Sequence, residues 1–226
     1  MAPTQPIAIV RLVNGERHFA LVRWGLLPSW VKDPKAFSLL INARGETVTE
    51  KPAYRAAMKR RRCLIPADGF YEWKAGGPRK QPYYIRAKSG TPLAFGGLWE
   101  TWTGPNGEEL ETAAIVTTAA NETLAPLHDR MPVIIAPDQF DLWLGQGDED
   151  TAAASALIKP APDDLLEAYS VSTDVNRVAN DNPKLIDRAP ELDQSEPAPK
   201  PKRAVTRAAK HATAKPKKDR GQGALF

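Results

Sequence analysis

Ile7-Ala8-Ile9-Val10-Arg11-Leu12-Val13 and Phe19-Ala20-Leu21-Val22-Arg23-Trp24 flank the dipeptide Asn14-Gly15. Apolar, β-branched runs on either side of Asn-Gly predict a β-hairpin, because both central residues tolerate the positive φ of a tight turn. The same grammar recurs downstream. Cys63-Leu64-Ile65-Pro66 enters a strand that Asp68-Gly69 breaks, and residues 70–74, 81–87, 93–102 and 112–119 read as further strands. Ala75-Gly76-Gly77-Pro78 and Gly104-Pro105-Asn106-Gly107 are turns between them. Val133-Ile134-Ile135 is a short strand, and residues 121–126 open a helical turn.

Helical signals are few and brief. Residues 53–59, 137–144 and 151–158 suit short helices, with Asp138 and Asp150 placed as N-terminal caps. Many short strands with few helices predict an α+β domain with a curved, barrel-like, mainly antiparallel sheet and short peripheral helices. There is no internal repeat and no alternation of strand and helix of the βαβ kind.

The chain has 226 residues, enough for one domain and an appendage. Hydrophobic residues make up 42% and charged residues 26%, which excludes a chain disordered throughout. Composition shifts near Asp187 to Pro, Ala, Lys and Glu, so the expected organisation is a folded body over 1–186, a disordered basic linker over 187–221 and a short terminal motif over 222–226. Residues 200–220 hold nine Lys and Arg against Asp219, a net of +8. The whole chain is +4, so the remainder carries −4. Any nucleic-acid binding by the body must therefore use a local patch. No apolar run reaches the roughly 20 residues of a membrane helix, and no charged-then-apolar leader opens the chain. The one cysteine, Cys63, allows no internal disulfide and no multi-cysteine metal site. The expectation is a soluble, cytoplasmic protein without metal or cofactor.

Several residues carry chemical potential, each with a plainer alternative. Glu72 lies between Tyr71 and Trp73, where desolvation can raise a carboxyl pKa as acid–base work requires; strand alternation could equally send it to solvent. His128, in Leu127-His128-Asp129-Arg130-Met131-Pro132, has an acid and a base beside it, or is a structural turn histidine. Asn42 and Arg44 would share one face of an extended segment and hold a polar or phosphate group together, or serve as a turn asparagine and a surface arginine. Most of the six tryptophans belong to a core, but Trp30 in a Pro-flanked loop can stack on a base. Cys63 reads as a small core residue; exposed beside Arg60-Arg61-Arg62 it would instead be a reactive thiol.

Taken in order, Trp24-Gly25-Leu26-Leu27-Pro28-Ser29-Trp30, Ile41-Asn42-Ala43-Arg44-Gly45-Glu46-Thr47, the stretch from Arg62 to Trp73, and His128-Asp129-Arg130-Met131-Pro132 closely resemble the SOS response-associated peptidase family. Ala94-Phe95-Gly96-Gly97-Leu98-Trp99-Glu100 and Val175-Asn176 also look like its motifs. The resemblance covers roughly residues 2–186. It implies a DNA-repair protein that acts on abasic sites in single-stranded DNA, linking to them covalently. The nucleophile in the family is a cysteine exposed at the N-terminus by Met removal; its amine and thiol capture the abasic aldehyde as a thiazolidine. By the same resemblance Asn42 positions the site, Glu72 assists proton transfer, His128 is a general acid/base, Arg44 and Arg130 contact phosphate, and Trp30 lines the DNA channel.

This chain opens Met1-Ala2-Pro3-Thr4-Gln5, and Cys63 has no free α-amine. The expectation is a reading frame that continues upstream to a Met-Cys-Gly-Arg start. Two other readings stand beside it: a noncatalytic single-stranded DNA binder, and a fork-associated adaptor tethered by its basic tail. The terminal Gln222-Gly223-Ala224-Leu225-Phe226 resembles peptides that dock on the bacterial sliding clamp, with Gln222 at a pocket edge and Leu225 and Phe226 inside. The protein is expected to be a monomer with no membrane partner.

Overall fold

The computed structural model describes residues 1–74, 79–145 and 148–193. The hairpin forms as its turn chemistry requires. β1 (Pro6–Val13) pairs antiparallel with β2 (Glu16–Trp24), and Asn14 and Gly15 both have positive φ, 52° and 83°. β1 continues through β4 (Arg62–Ala67) to β7 (Leu93–Thr103) and β8 (Glu109–Ala119), each step antiparallel. β8 then meets β2 in parallel at Arg23–Thr112 and Trp24–Ala113. The five strands therefore close into a mixed barrel, which leaves no open edge between first and last strand.

Two short strands extend β8. β3 (Asn42–Arg44) runs parallel to it and β9 (Arg130–Pro132) antiparallel. The strand expected over 133–135 is displaced. The ladder lies at Arg130–Pro132, and the following residues wedge between β7 and β8, with Gly96 N–H donating to the Val133 carbonyl and Val133 N–H to that of Val116. A second, antiparallel sheet comprises β5 (Phe70–Lys74), β6 (Gln81–Ala87) and β10 (Leu166–Ser170), in the order β10-β6-β5.

Alternation on β4 divides the core. Cys63 and Ile65 face a cluster shared by all five barrel strands and by Tyr83 and Ile85 of the small sheet. Leu64 faces the other way, into a cluster roofed by α1 (Arg55–Arg60), α2 (Phe140–Leu144) and α3 (Asp148–Ser155). Gly96 and Gly97 permit both contacts. A Cβ on Gly97 would lie 2.9 Å from the Cys63 sulfur, and one on Gly96 would lie 2.9 Å from the Trp143 ring.

The expected caps are not caps. Asp138 follows Pro137 within a 3-10 turn whose N-cap is Ala136, and Asp150 is the third residue of α3. Helix α3 starts three residues before the expected 151. The turn expected at 75–78 lies outside the described residues. The linker expected from Asp187 has its first residues tied to the small sheet. Ala189 N–H donates to the Ser170 carbonyl, and Leu192 N–H donates to Gln81 Oε1 at 2.7 Å. Residues 194–226, which include the basic run and the terminal motif, lie outside the described residues.

Candidate functional site

Glu72 sits on β5, the outer strand of the small sheet, with Tyr83 opposite it on β6. It does not reach freely to solvent, as strand alternation allowed; it is half-buried. Burial pushes its carboxyl pKa up, His128 opposes that rise, and Asp129 adds to it.

His128 is delivered by the turn that follows β8. Asn121 builds that turn: its Oδ1 accepts from Leu124 N–H at 3.1 Å, while its amide donates to the carbonyls of Ala161 and Pro162. The turn closes as His128 N–H donates to the Leu124 carbonyl. The ring is then oriented by its own chain, since Nδ1 accepts from Arg130 N–H at 3.0 Å. Nδ1 also lies 3.2 Å from the Arg130 carbonyl oxygen, to which it donates in the tautomer that carries its proton there. Asp129 Oδ1, 3.3 Å from Nδ1, offers a partner to the charged ring.

Glu72 and His128 line one cavity of about 420 Å³ together with Trp73, Lys80 and Asn176. Because β5 is an outer strand, residues from both its faces, Glu72 and Trp73, border the same space. Trp73 Nε1 donates to Asn176 Oδ1 at 2.7 Å, which leaves the Asn176 amide nitrogen as a donor. Lys80 and the role of Asn176 escaped the sequence reading. Asn176 appeared there only inside a family-like motif, and Lys80 had no local signal. Only the β5–β6 pairing brings Lys80 to the cavity that Glu72 lines.

The other expected site residues stand around β3 and β9. On β3 Ala43 is buried while Asn42 and Arg44 are exposed, so the two do share a face. The Asn42 carbonyl accepts from Tyr54 Oη–H at 3.1 Å, which pins this short strand to the segment before α1. Neither residue borders the Glu72–His128 cavity among its described lining. Arg130 is engaged: its guanidinium holds both carboxylate oxygens of Glu46, at 2.5 and 2.9 Å, and donates to the Thr117 carbonyl at 2.6 Å. These bonds hold the Glu46 carboxyl below the usual carboxylate range. Glu46, two residues from Arg44 in the quoted motif, was not singled out by sequence.

Trp30 is 57% exposed in the loop before β3, with its ring edge-on to Phe37 at 5.7 Å. Most of the tryptophans were expected in the core; Trp102 and Trp143 are buried there, while Trp24 and Trp99 pack against it only partly buried. Cys63 is fully buried, and burial pushes its thiol pKa far up, so the reactive reading fails. The adjacent arginines turn elsewhere: Arg61 pairs with Glu100, and Arg62 is buried against the ends of helices. Among the described residues no three His, Cys, Asp or Glu side chains gather as metal ligands, and no helix is long and apolar enough to cross a membrane.

Residues 1–178 match the family model for SOS response associated peptidase. The chain is 42% identical over 188 residues to the abasic site processing protein YoqW of Bacillus subtilis, covering 83% of this chain and 84% of that protein. It is 36% identical over 196 residues to the abasic site processing protein HMCES of Xenopus tropicalis, covering 76% of this chain and 58% of that longer protein. A crystal structure from Bacteroides thetaiotaomicron superposes with a TM-score of 0.74 at 30% identity, over 82% of each chain. Another, from Bordetella bronchiseptica, superposes with a TM-score of 0.68 at 27% identity, over 76% of this chain and 86% of that one.

Proposed function

The chain belongs to the SOS response associated peptidase family, and we propose that it binds single-stranded DNA at abasic sites and opens the abasic sugar for covalent capture. The observation that carries this reading is the pairing of Glu72 with His128 in one cavity. An abasic sugar is mostly a closed hemiacetal, and its aldehyde forms only when the C1′ hydroxyl loses a proton and the ring oxygen gains one. A carboxyl with raised proton affinity and an imidazole on one cavity suit that exchange. One group accepts the hydroxyl proton and the other donates to the ring oxygen.

Capture as a thiazolidine needs an amine and a thiol on one residue. The amine adds to the aldehyde, water leaves, and the thiol closes on the resulting C=N. Buried, internal Cys63 cannot do this. We assign the crosslink to a form of the protein that presents an N-terminal cysteine exposed by self-removal of Met, which is also its peptidase activity. Asn42 orients the sugar, Arg44 and Arg130 bind phosphate, and Trp30 stacks on an unpaired base. The basic run over 200–220 adds sequence-blind attraction to DNA. A monomer in the bacterial cytoplasm fits these roles.

The test compares single strands carrying an abasic site, single strands carrying its stable tetrahydrofuran analogue, and intact duplex. Preferential binding to the two abasic single strands is expected, with slower adduct formation in Glu72→Gln or His128→Ala versions of the N-terminal-cysteine form. Equal affinity for intact duplex would overturn the reading. Selective binding with adduct kinetics untouched by either substitution would leave a noncatalytic binder.

A further inference from the structure

Resting on the reading just given, that the cavity receives a ring-opened abasic sugar, we propose that Lys80 captures the aldehyde as a reversible imine, a covalent activity independent of any cysteine. Lys80 is the one primary amine among the described residues that line the cavity with Glu72 and His128. It stands immediately before β6, whose next residue, Gln81, pairs with Lys74 of β5. The same hairpin therefore presents an amine and a carboxyl to one space. No described residue forms an ion pair or hydrogen bond with Lys80, so its amine is not committed elsewhere.

The chemistry balances without an added reactant. The Lys80 ammonium gives one proton to the unprotonated member of the Glu72–His128 pair. The free amine attacks C1′, a C–N bond forms, and the carbonyl π pair moves to oxygen. That oxygen takes two protons, one from the attacking nitrogen and one returned by the pair, and leaves as water. The product is a protonated imine with the same net charge as the reactants. Lysine amines form such bonds when an acid–base group lies within reach. Asn176, held by Trp73 so that its amide nitrogen can donate, stands on the same wall to orient the sugar hydroxyl.

The imine hydrolyses when the protein is denatured, so it must be reduced to be seen. The 226-residue chain is incubated with abasic single-stranded DNA, with and without borohydride, and the products are separated under denaturing conditions. Peptide mapping locates the added mass. The expected result is a borohydride-dependent adduct on Lys80, reduced at least tenfold by Lys80→Arg, which keeps the charge and removes the nucleophile. Binding to the tetrahydrofuran strand, which has no aldehyde, is measured in parallel and reports on the site itself. Wild-type protein that fails to bind that strand refutes the underlying reading. Protein that binds it but gives no trapped adduct refutes only the imine. An adduct on the Met1 amine or on a tail lysine such as Lys210 overturns the proposal, as does undiminished trapping by Lys80→Arg. A loss of trapping matched by an equal loss of tetrahydrofuran binding also overturns it, since Lys80 would then serve binding alone.

Discussion

The main-chain N–H of Arg130 lies 3.0 Å from Nδ1 of His128, so one residue orients the imidazole through its backbone while its guanidinium grips Glu46. The arrangement depends on β9 pairing with β8, which fixes the chain direction just after His128. It places the ring on the cavity that Glu72, whose carboxyl pKa is raised by burial, also lines.

That raised pKa makes Glu72→Gln informative in two ways. In the N-terminal-cysteine form, losing one acid–base group should slow sugar opening about 10²–10⁴-fold. Stability should move in the opposite direction. The folded Glu72 carboxyl has a raised pKa, so the native state binds more protons than the unfolded chain between the ordinary carboxylate value of 4.5 and the raised one. The group's contribution is full below that window and is lost as pH rises through it. Glu72→Gln should therefore gain Tm relative to wild type on going from pH 4 to pH 7. A constant Tm difference across that range would contradict the assignment.

Glu46 neutralises the phosphate ligand expected at Arg130, so removing it should strengthen DNA binding. In Glu46→Ala the guanidinium keeps its bond to the Thr117 carbonyl and thus its position, but loses its competing anion. One additional phosphate contact on a single strand steepens the salt dependence of log K by about 0.7. Binding measured between low and moderate salt should show that steeper slope, and Glu46→Ala combined with Arg130→Gln should not. An unchanged slope in the single variant would mean that DNA does not reach Arg130.

Strand-forming residues were legible because their signals are local. Asn14-Gly15 specifies its turn by backbone sterics alone, and apolar alternation places Cys63 and Leu64 on opposite faces of β4. A barrel-like sheet was expected, but not which strands close it. The parallel contact of Arg23 with Thr112 joins residues far apart in sequence and has no local code. The same holds at the site. Glu72 and His128 stood out through their neighbours, whereas Lys80 and Glu46 gained meaning only once β5 met β6 and β3 met β8. The helix caps were misread because Asp is common both at N-caps and in first turns, and only backbone geometry separates the two.

The tail makes a separable contribution. Truncation at residue 193 removes the +8 run, and affinity for intact single strands should become less salt-dependent while the preference for single-stranded over duplex DNA persists. A peptide spanning Arg220 to Phe226 should bind purified sliding clamp near 1 μM, about −8 kcal/mol, and lose binding when Leu225 and Phe226 both become Ala. Loss of strand discrimination on truncation would move the specific site out of the body, and clamp binding unchanged in the double variant would remove that docking role.

Arg62 supplies the last prediction, which concerns the frame behind the site. The residue is 2% exposed, and its guanidinium donates to the carbonyls of Met58, Trp143 and Gly145, the first in the last turn of α1 and the others at the end of α2. Helix C-termini leave carbonyls without intrahelical partners, and here one buried side chain satisfies them on two helices at once. Burial lowers its pKa, with Asp150 opposing, yet arginine remains charged at any working pH. Arg62→Ala would orphan all three acceptors and open a void beside Trp143. Leaving a buried acceptor unsatisfied typically costs about 1–3 kcal/mol. Arg62→Lys should recover part of that, because an ammonium can reach some acceptors but lacks the planar fork that spans both helices. Urea unfolding should show a midpoint lowered for Lys and lowered further for Ala, with an unchanged slope. Equal midpoints for the two variants would mean that a charge without the fork recovers nothing, and a Lys midpoint equal to wild type would mean that the charge alone, rather than the fork geometry, holds the helices to β4.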